Sequence, residues 1–152
     1  MASAKQPTGP ASFKGVMVSS TFTDLEQHRA ALMKALRKEK LVAIGMEDYV
    51  VKPDDDVISS SLDMVRESSA YIGLISRRYG QVPECGQRNP DAYSITRLEF
   101  EEAQRLGLPT LVFVMGTKHS VEEADVELNP KKREKLEAFR TRAKVRANLC
   151  PI

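Results

Sequence analysis

Glu99 is the side chain with the most chemistry to offer. On a helix over Ile95 to Leu106, at about 100° per residue, Ile95, Leu98, Glu99, Glu102, Ala103 and Leu106 share one face, otherwise apolar. A carboxylate on a buried stripe is costly unless it is paired or put to use. Glu102 lies one turn deeper, where an arginine partner is expected. Glu99 lies in the first turn, near the end of the sheet where a ligand cleft would open. The spacing also has a purely structural reading. Thr96-x-x-Glu99 matches a capping box, in which Glu99 would only bond backbone N–H groups.

Two further segments carry polar groups suited to a ligand. Ser19, Ser20 and Thr21 offer hydroxyls beside the start of a helix, an arrangement that binds anions or sugars. Arg77 and Arg78 can neutralise a phosphate, and Tyr79 or Phe22 can stack on a base. The same residues also read as a hydroxyl-rich helix cap with two solvated arginines. Neither G-x-G-x-x-G after the first strand nor G-x-x-x-x-G-K-[ST] occurs, so a dinucleotide dehydrogenase or a P-loop NTPase is not supported.

Four apolar runs must position these groups: Val16–Val18, Leu41–Ile44, Tyr71–Ile75 and Leu111–Met115. They are continuous rather than alternating, as strands covered on both faces are. Helical patterns lie between them. The first spans about Asp24 to Lys40, with a Thr23-x-x-Glu26 capping box and Leu25, Leu32, Ala35 and Leu36 facing inward. The second spans about Asp56 to Ser68, with Ile58, Leu62 and Val65 inward and Asp54–Asp56 as its acidic cap. The third, Ile95 to Leu106, stops at Gly107 and Pro109. The fourth spans about Pro130 to Val145, capped by Asn129, with Leu136, Phe139 and Ala143 inward.

This order predicts an α/β fold: a flavodoxin-like three-layer sandwich on a parallel sheet of order 2-1-3-4-5. The tail Asn148–Ile152 is the expected fifth strand. The closing helix is then missing, and residues 13–152 read as a domain cut from a longer protein behind a flexible lead, 1–12. Ligands of such sheets bind at the carboxyl ends of the strands, where strand order reverses. That point lies between strands one and three, where Ser19–Phe22 and Ser76–Gly80 begin. The long segment Gln81–Tyr93 is expected to arch over the same end.

Composition sets the outer bounds. The sequence has 23 basic and 21 acidic side chains, a net charge of +2, too weak to argue for nucleic acid by bulk electrostatics. A basic helix over Lys131, Lys132, Arg133, Arg140, Arg142, Lys144 and Arg146 reads first as a solvated face. The two cysteines, Cys85 and Cys150, have no metal-ligand spacing and read as free thiols of a reducing, cytoplasmic compartment. His28 and His119 show no acid or nucleophile partner. No metal or resident cofactor is expected, and no apolar stretch is long enough to span a membrane.

The segment Val16-Met17-Val18-Ser19-Ser20-Thr21-Phe22-Thr23-Asp24-Leu25, followed by Arg29, resembles the start of a TIR-like domain family of poorly defined function. Further matches are Gly45-Met46-Glu47, Tyr71–Ile75, Arg78-Tyr79-Gly80 and Ser94–Phe100, so the resemblance covers roughly Lys14 to Leu149. Members sit at the N-terminus of multidomain proteins, often before NACHT- or STAND-type ATPase modules. The family is similar to TIR domains and nucleoside deoxyribosyltransferases. In the transferases a Thr-x-x-Glu turn carries a nucleophilic carboxylate, and enzymatic TIR domains use a helix-borne Glu to cleave NAD. The resemblance therefore implies Glu99 as the catalytic group, with Ser19, Ser20 and Phe22 at a nucleotide. It implies an N-glycosidase acting on NAD or a related nucleotide, in signalling or antiviral defence, activated by oligomerisation. Ser94-Ile95-Thr96 stands where the transferases carry Asp-x-Gly-Thr, which argues against free nucleosides. The alternative is a non-catalytic interaction module of a larger STAND-type protein, with Glu99 as a cap.

Overall fold

The structure, a computed structural model, describes residues 14–21, 25–45, 56–116, 123, 126–146 and, for the backbone alone, 148–151. Five strands and four helices alternate in these residues: β1 (Val16–Ser20), α1 (Glu26–Lys38), β2 (Ala43–Ile44), α2 (Val57–Arg66), β3 (Ala70–Ile75), α3 (Ile95–Arg105), β4 (Thr110–Val114), α4 (Pro130–Arg146) and β5 (Asn148–Pro151). All strand pairs are parallel and the order is β2-β1-β3-β4-β5. The alternation read from the sequence thus produces the expected sheet.

The two sheet faces have different covers. Met17, Tyr71, Val112 and Val114 pack with Met64, Val65, Phe100, Leu136 and Phe139 from α2, α3 and α4. Phe100 sits at the centre, edge-on to Tyr71 at 6.3 Å and to Phe139 at 5.4 Å between ring centroids. Such pairs stabilise beyond their buried area. On the other face Val16, Val18 and Ile72 pack against Met33 and Leu36 of α1.

Several expected details differ. Helix α1 begins at Glu26, with Leu25 at its N-cap and no side-chain cap bond. Thr23 lies outside the described residues, as do Asp54, Asp55, the Met46-Glu47 match and His119. Ala35 is exposed, and Arg29, Met33 and Leu36 form the inward stripe at i, i+4 and i+7. Only Ala43 and Ile44 of the second apolar run pair as a strand, and Val42 is 61% exposed. The buried face of α3 centres on Phe100 and Ala103 rather than Leu98, and Leu106 is 39% exposed. The caps of α2 and α4 are as read: Asp56 accepts from Ser59 N at 2.7 Å, and Asn129 accepts from Lys131 N at 3.0 Å.

The basic helix is not one solvated face. Arg140 is buried and donates to the carbonyls of Ser76 (3.1 Å) and Met115 (2.8 Å), which follow β3 and β4. Arg142 pairs with Glu101. Lys135 donates to the carbonyls of Asp91 and Ala92. Arg140 and Lys135 hold loops that follow β3 and β4, and Arg142 ties α4 to α3, which weakens any nucleic-acid reading of the helix.

Arg140→Met would leave two buried carbonyls unbonded. It should cost about 2–4 kcal/mol in chemical denaturation, while Lys144→Met on the exposed face stays within about 0.5 kcal/mol. Equal midpoints for the two variants would remove Arg140 from this role.

Candidate functional site

A cavity of about 570 Å³ opens at the carboxyl ends of β1 and β3, the position expected from the reversal of strand order. Ser19, Ser20 and Thr21 supply one wall, at the end of β1 and just beyond it. Thr96 and Glu99 supply another, from the first turns of α3. Arg78 and Gly80 come from the loop after β3, and Arg29 from α1. Glu127 and Lys132 come from the start of α4 and the loop before it.

Local bonds tie these walls together. The Ser76 hydroxyl meets Thr21 Oγ1 at 3.0 Å and accepts from Arg78 N at 3.1 Å, joining the loops after β1 and β3. Gly80 has φ +85°, and a Cβ there would stand 2.9 Å from Thr21 Cγ2. Only glycine allows both that backbone and that approach. Arg29, buried on α1, donates to the Val18 carbonyl at 2.9 Å and to Ser20 Oγ at 3.1 Å. It braces the end of β1 from below.

Glu99 is 3% exposed, yet its side chain lines the cavity. It is not a helix cap. Ser94 is the N-cap of α3, accepting from Arg97 N at 3.2 Å. The Glu99 carboxylate instead accepts a hydrogen bond from the Ser19 hydroxyl across the sheet edge. Burial pushes its pKa up to about 7, while the hydroxyls of Ser19 and Ser61 and the charge of Arg29 pull the other way. A carboxyl poised near neutrality is suited to chemistry at that pH. Glu102, one turn on, has the opposite fate. Arg105 and Arg66 pair with it and hold its carboxyl below the usual range.

The structure thus brings Ser19, Ser20, Thr21, Arg78 and Glu99 to one cavity. Tyr79 is a correction. Its ring is 1% exposed and packs in the core with Phe100 and Phe139, so it does not face a ligand. Arg77 turns away and donates to the Gly116 carbonyl at 3.2 Å. Phe22 lies outside the described residues. The segment after Gly80 is no roof over the cavity, which only Gln81 of its residues lines. Asn89 folds it on itself by bonding Pro83 and Tyr93, and Arg97 stacks on Tyr93 with its guanidinium 4.1 Å from the ring centre.

Arg29, Thr96, Glu127 and Lys132 were not read as site residues. Arg29 had a signal. It lies on the apolar stripe of α1, the same anomaly that singled out Glu99. Glu127 and Lys132 follow a loop without periodicity, and nothing local marks them.

A parallel sheet with this order and an open site at its strand ends defines a flavodoxin-like α/β domain. The chain belongs to the family described as domain of unknown function DUF4062, whose model matches residues 15–150. Among solved structures, the TIR domains of the activated Roq1 resistosome, which directly recognises the pathogen effector XopQ, align with a TM-score of 0.51. The identity is 14%, over 86% of this chain and 70% of that one. A 2-desoxiribosyltransferase from Leishmania mexicana aligns at TM-score 0.46 and 19% identity, over 76% of this chain and 75% of that one. A metazoan TIR-STING receptor from C. gigas aligns at 0.47 and 14%, over 90% of this chain and 42% of that one. At these identities the likeness is one of fold. No curated protein matches the chain.

The raised pKa of Glu99 has a consequence for stability. The folded state holds this proton more tightly than the unfolded chain, so the linked stability is complete below about pH 4.5 and is lost as pH rises through about 7. Glu99→Gln cannot ionise and escapes that loss. Its stability relative to the parent should climb from near zero at about pH 4 to about 3 kcal/mol at about pH 8, read from denaturant melts. A difference independent of pH would mean the carboxyl is not desolvated.

Proposed function

We infer that this domain binds a nucleotide and hydrolyses its N-glycosidic bond, with NAD or a related nucleotide as substrate. One observation carries the reading: a buried carboxyl, drawn toward neutral pKa, opens onto a cavity between a hydroxyl-bearing turn and the cations Arg78 and Lys132. The cavity volume is in the range of small-ligand pockets. Ser19, Ser20 and Thr21 supply hydroxyls for a ribose, and Arg78 with Lys132 supplies charge for phosphate.

In the reaction the bond between the anomeric carbon and the base nitrogen breaks, and its electron pair leaves with the nitrogen. A pyridinium base becomes neutral in doing so. The sugar acquires oxocarbenium character, which an ionised Glu99 stabilises or captures as an ester. Water then delivers hydroxide to the anomeric carbon and its proton to solvent, and where an ester had formed the Glu99 carboxylate leaves as that bond breaks. Holding the ribose against Glu99 contributes much of the rate.

The wider setting belongs to the same inference. The domain acts in the cytoplasm as the effector end of a longer STAND-type defence protein, and self-association of that protein switches it on. The Roq1 TIR domains belong to an activated resistosome, and that assembled state supports the oligomer requirement here.

The domain fused to a forced oligomer is incubated with NAD and other nucleotides, and base release is followed by chromatography. Glu99→Gln should lose about 10²-fold or more while remaining folded. Because the ionised form acts, release by the parent should rise through about pH 7 and level above it. Parent and variant equally inert across nucleotides would leave the domain as a non-catalytic association module.

A further inference from the structure

Glu99 is bonded by one hydroxyl, but two others stand close to it without a full hydrogen bond. The Tyr71 hydroxyl and Ser61 Oγ are both buried and neither sits in full hydrogen-bond geometry, although Ser61 is near enough to favour the charged form of Glu99 and Ser19 to act on Tyr71. Orphaned buried hydroxyls are uncommon and carry a desolvation cost. Their surroundings supply a reason for them.

Tyr71 reaches Glu99 because of Gly73. Ser19 on β1 and Gly73 on β3 are direct partners in the sheet, so their side-chain positions lie side by side on one face. Gly73 leaves its position empty, and the Tyr71 ring fills it. A Cβ at Gly73 would meet Tyr71 Cε1 at 3.1 Å and its hydroxyl at 3.4 Å. The phenol is thereby laid along β3 toward Ser19, near enough for Ser19 and the Glu99 charge both to act on it. Ser61 arrives from α2, which packs on α3, and its hydroxyl also acts on Glu99. The charged and titratable groups acting on Glu99 are Arg29 from α1 and Tyr71 from β3.

We propose that Tyr71 and Ser61 are positioning residues, two reserve donors that close on Glu99 when its carboxyl becomes ionised. In the neutral state the Ser19 bond suffices. On ionisation the carboxylate gains acceptor capacity, and small side-chain shifts bring both hydroxyls into bonding geometry with it. Gly73 is part of the device, since any side chain there displaces the phenol. The proposal rests on the reading that Glu99 works as a carboxylate, and it adds the groups that make that state accessible in a buried place.

The test titrates Glu99 directly and needs no turnover. Protein labelled with ¹³C at the glutamate side-chain carboxyl is followed by NMR across pH, and the spectrum of Glu99→Gln assigns the signal. Hydrogen bonds to the charged form favour it. Tyr71→Phe and Ser61→Ala should each lower the acid dissociation constant of Glu99 by about tenfold, with native circular dichroism. Gly73→Ala should shift it in the same direction. A group with only a packing role would change the melting temperature and leave this titration in place. Titration in both Tyr71→Phe and Ser61→Ala within about twofold of the parent overturns the proposal. If one variant does not fold, the other decides alone. A domain inert toward every nucleotide fails the hydrolase reading and leaves this measurement untouched.

Discussion

The site depends on one interaction, the hydrogen bond from Ser19 on β1 to Glu99 on α3. It joins β1 to a helix that packs across β1 and β3. To form it, a carboxyl must be carried almost entirely out of water, which is unfavourable for its ionised form. The surrounding packing supplies that force. Phe100, next in sequence, is fully buried between Tyr71 and Phe139. The apolar contacts of Phe100 fix α3 on the sheet, and Glu99 is held at the sheet edge as a consequence.

The cavity rim is built by buried arginines that bind backbone carbonyls. Arg29 takes the carbonyl of Val18, and Arg140 takes those of Ser76 and Met115. The carboxyl ends of parallel strands present such carbonyls with no further ladder to satisfy them. A guanidinium with several donors suits that edge better than an ammonium. Ser76 then connects this support to the site itself, through Thr21 and Arg78 N. The hydroxyl turn and the cation loop are therefore set relative to one another before any ligand arrives, which is the arrangement that positioning catalysis requires.

Much of the fold was legible because local signals agreed with one another. Continuous apolar runs, an Asp cap at Asp56, an Asn cap at Asn129 and the Gly107 stop place most of the elements within a residue or two. Right-handed crossovers then leave few layouts. Glu99 was legible by contradiction, as an acid on an apolar helix face. Legibility failed where a residue's role is set from another part of the chain. Tyr79 is polar and lies in a loop, yet the core formed by Phe100 and Phe139 claims its ring. Thr96-x-x-Glu99 has the spacing of a cap, but Ser94 stands closer to the helix start and captures the free N–H first. Arg140 looks like one more surface cation until β3 and β4 offer their last carbonyls to it.

Glycine stands at two positions around the Glu99 site for different physical reasons. Gly80 is needed by backbone geometry and by the approach of Thr21, so it fixes the distance between two cavity walls. Gly73 has no such backbone demand. It lies in the middle of a buried strand, where a β-branched residue would be favoured for packing. The missing side chain is replaced by the ring of Tyr71, two residues earlier on the same face of β3. Packing density is restored, and a phenol hydroxyl now stands where an aliphatic group would have been. In the hydrophobic layer beside Glu99 that exchange gives up a purely apolar strand for a polar atom without a resting partner. The Tyr71–Gly73 pair thus sets a phenol beside Ser19, the residue that bonds Glu99.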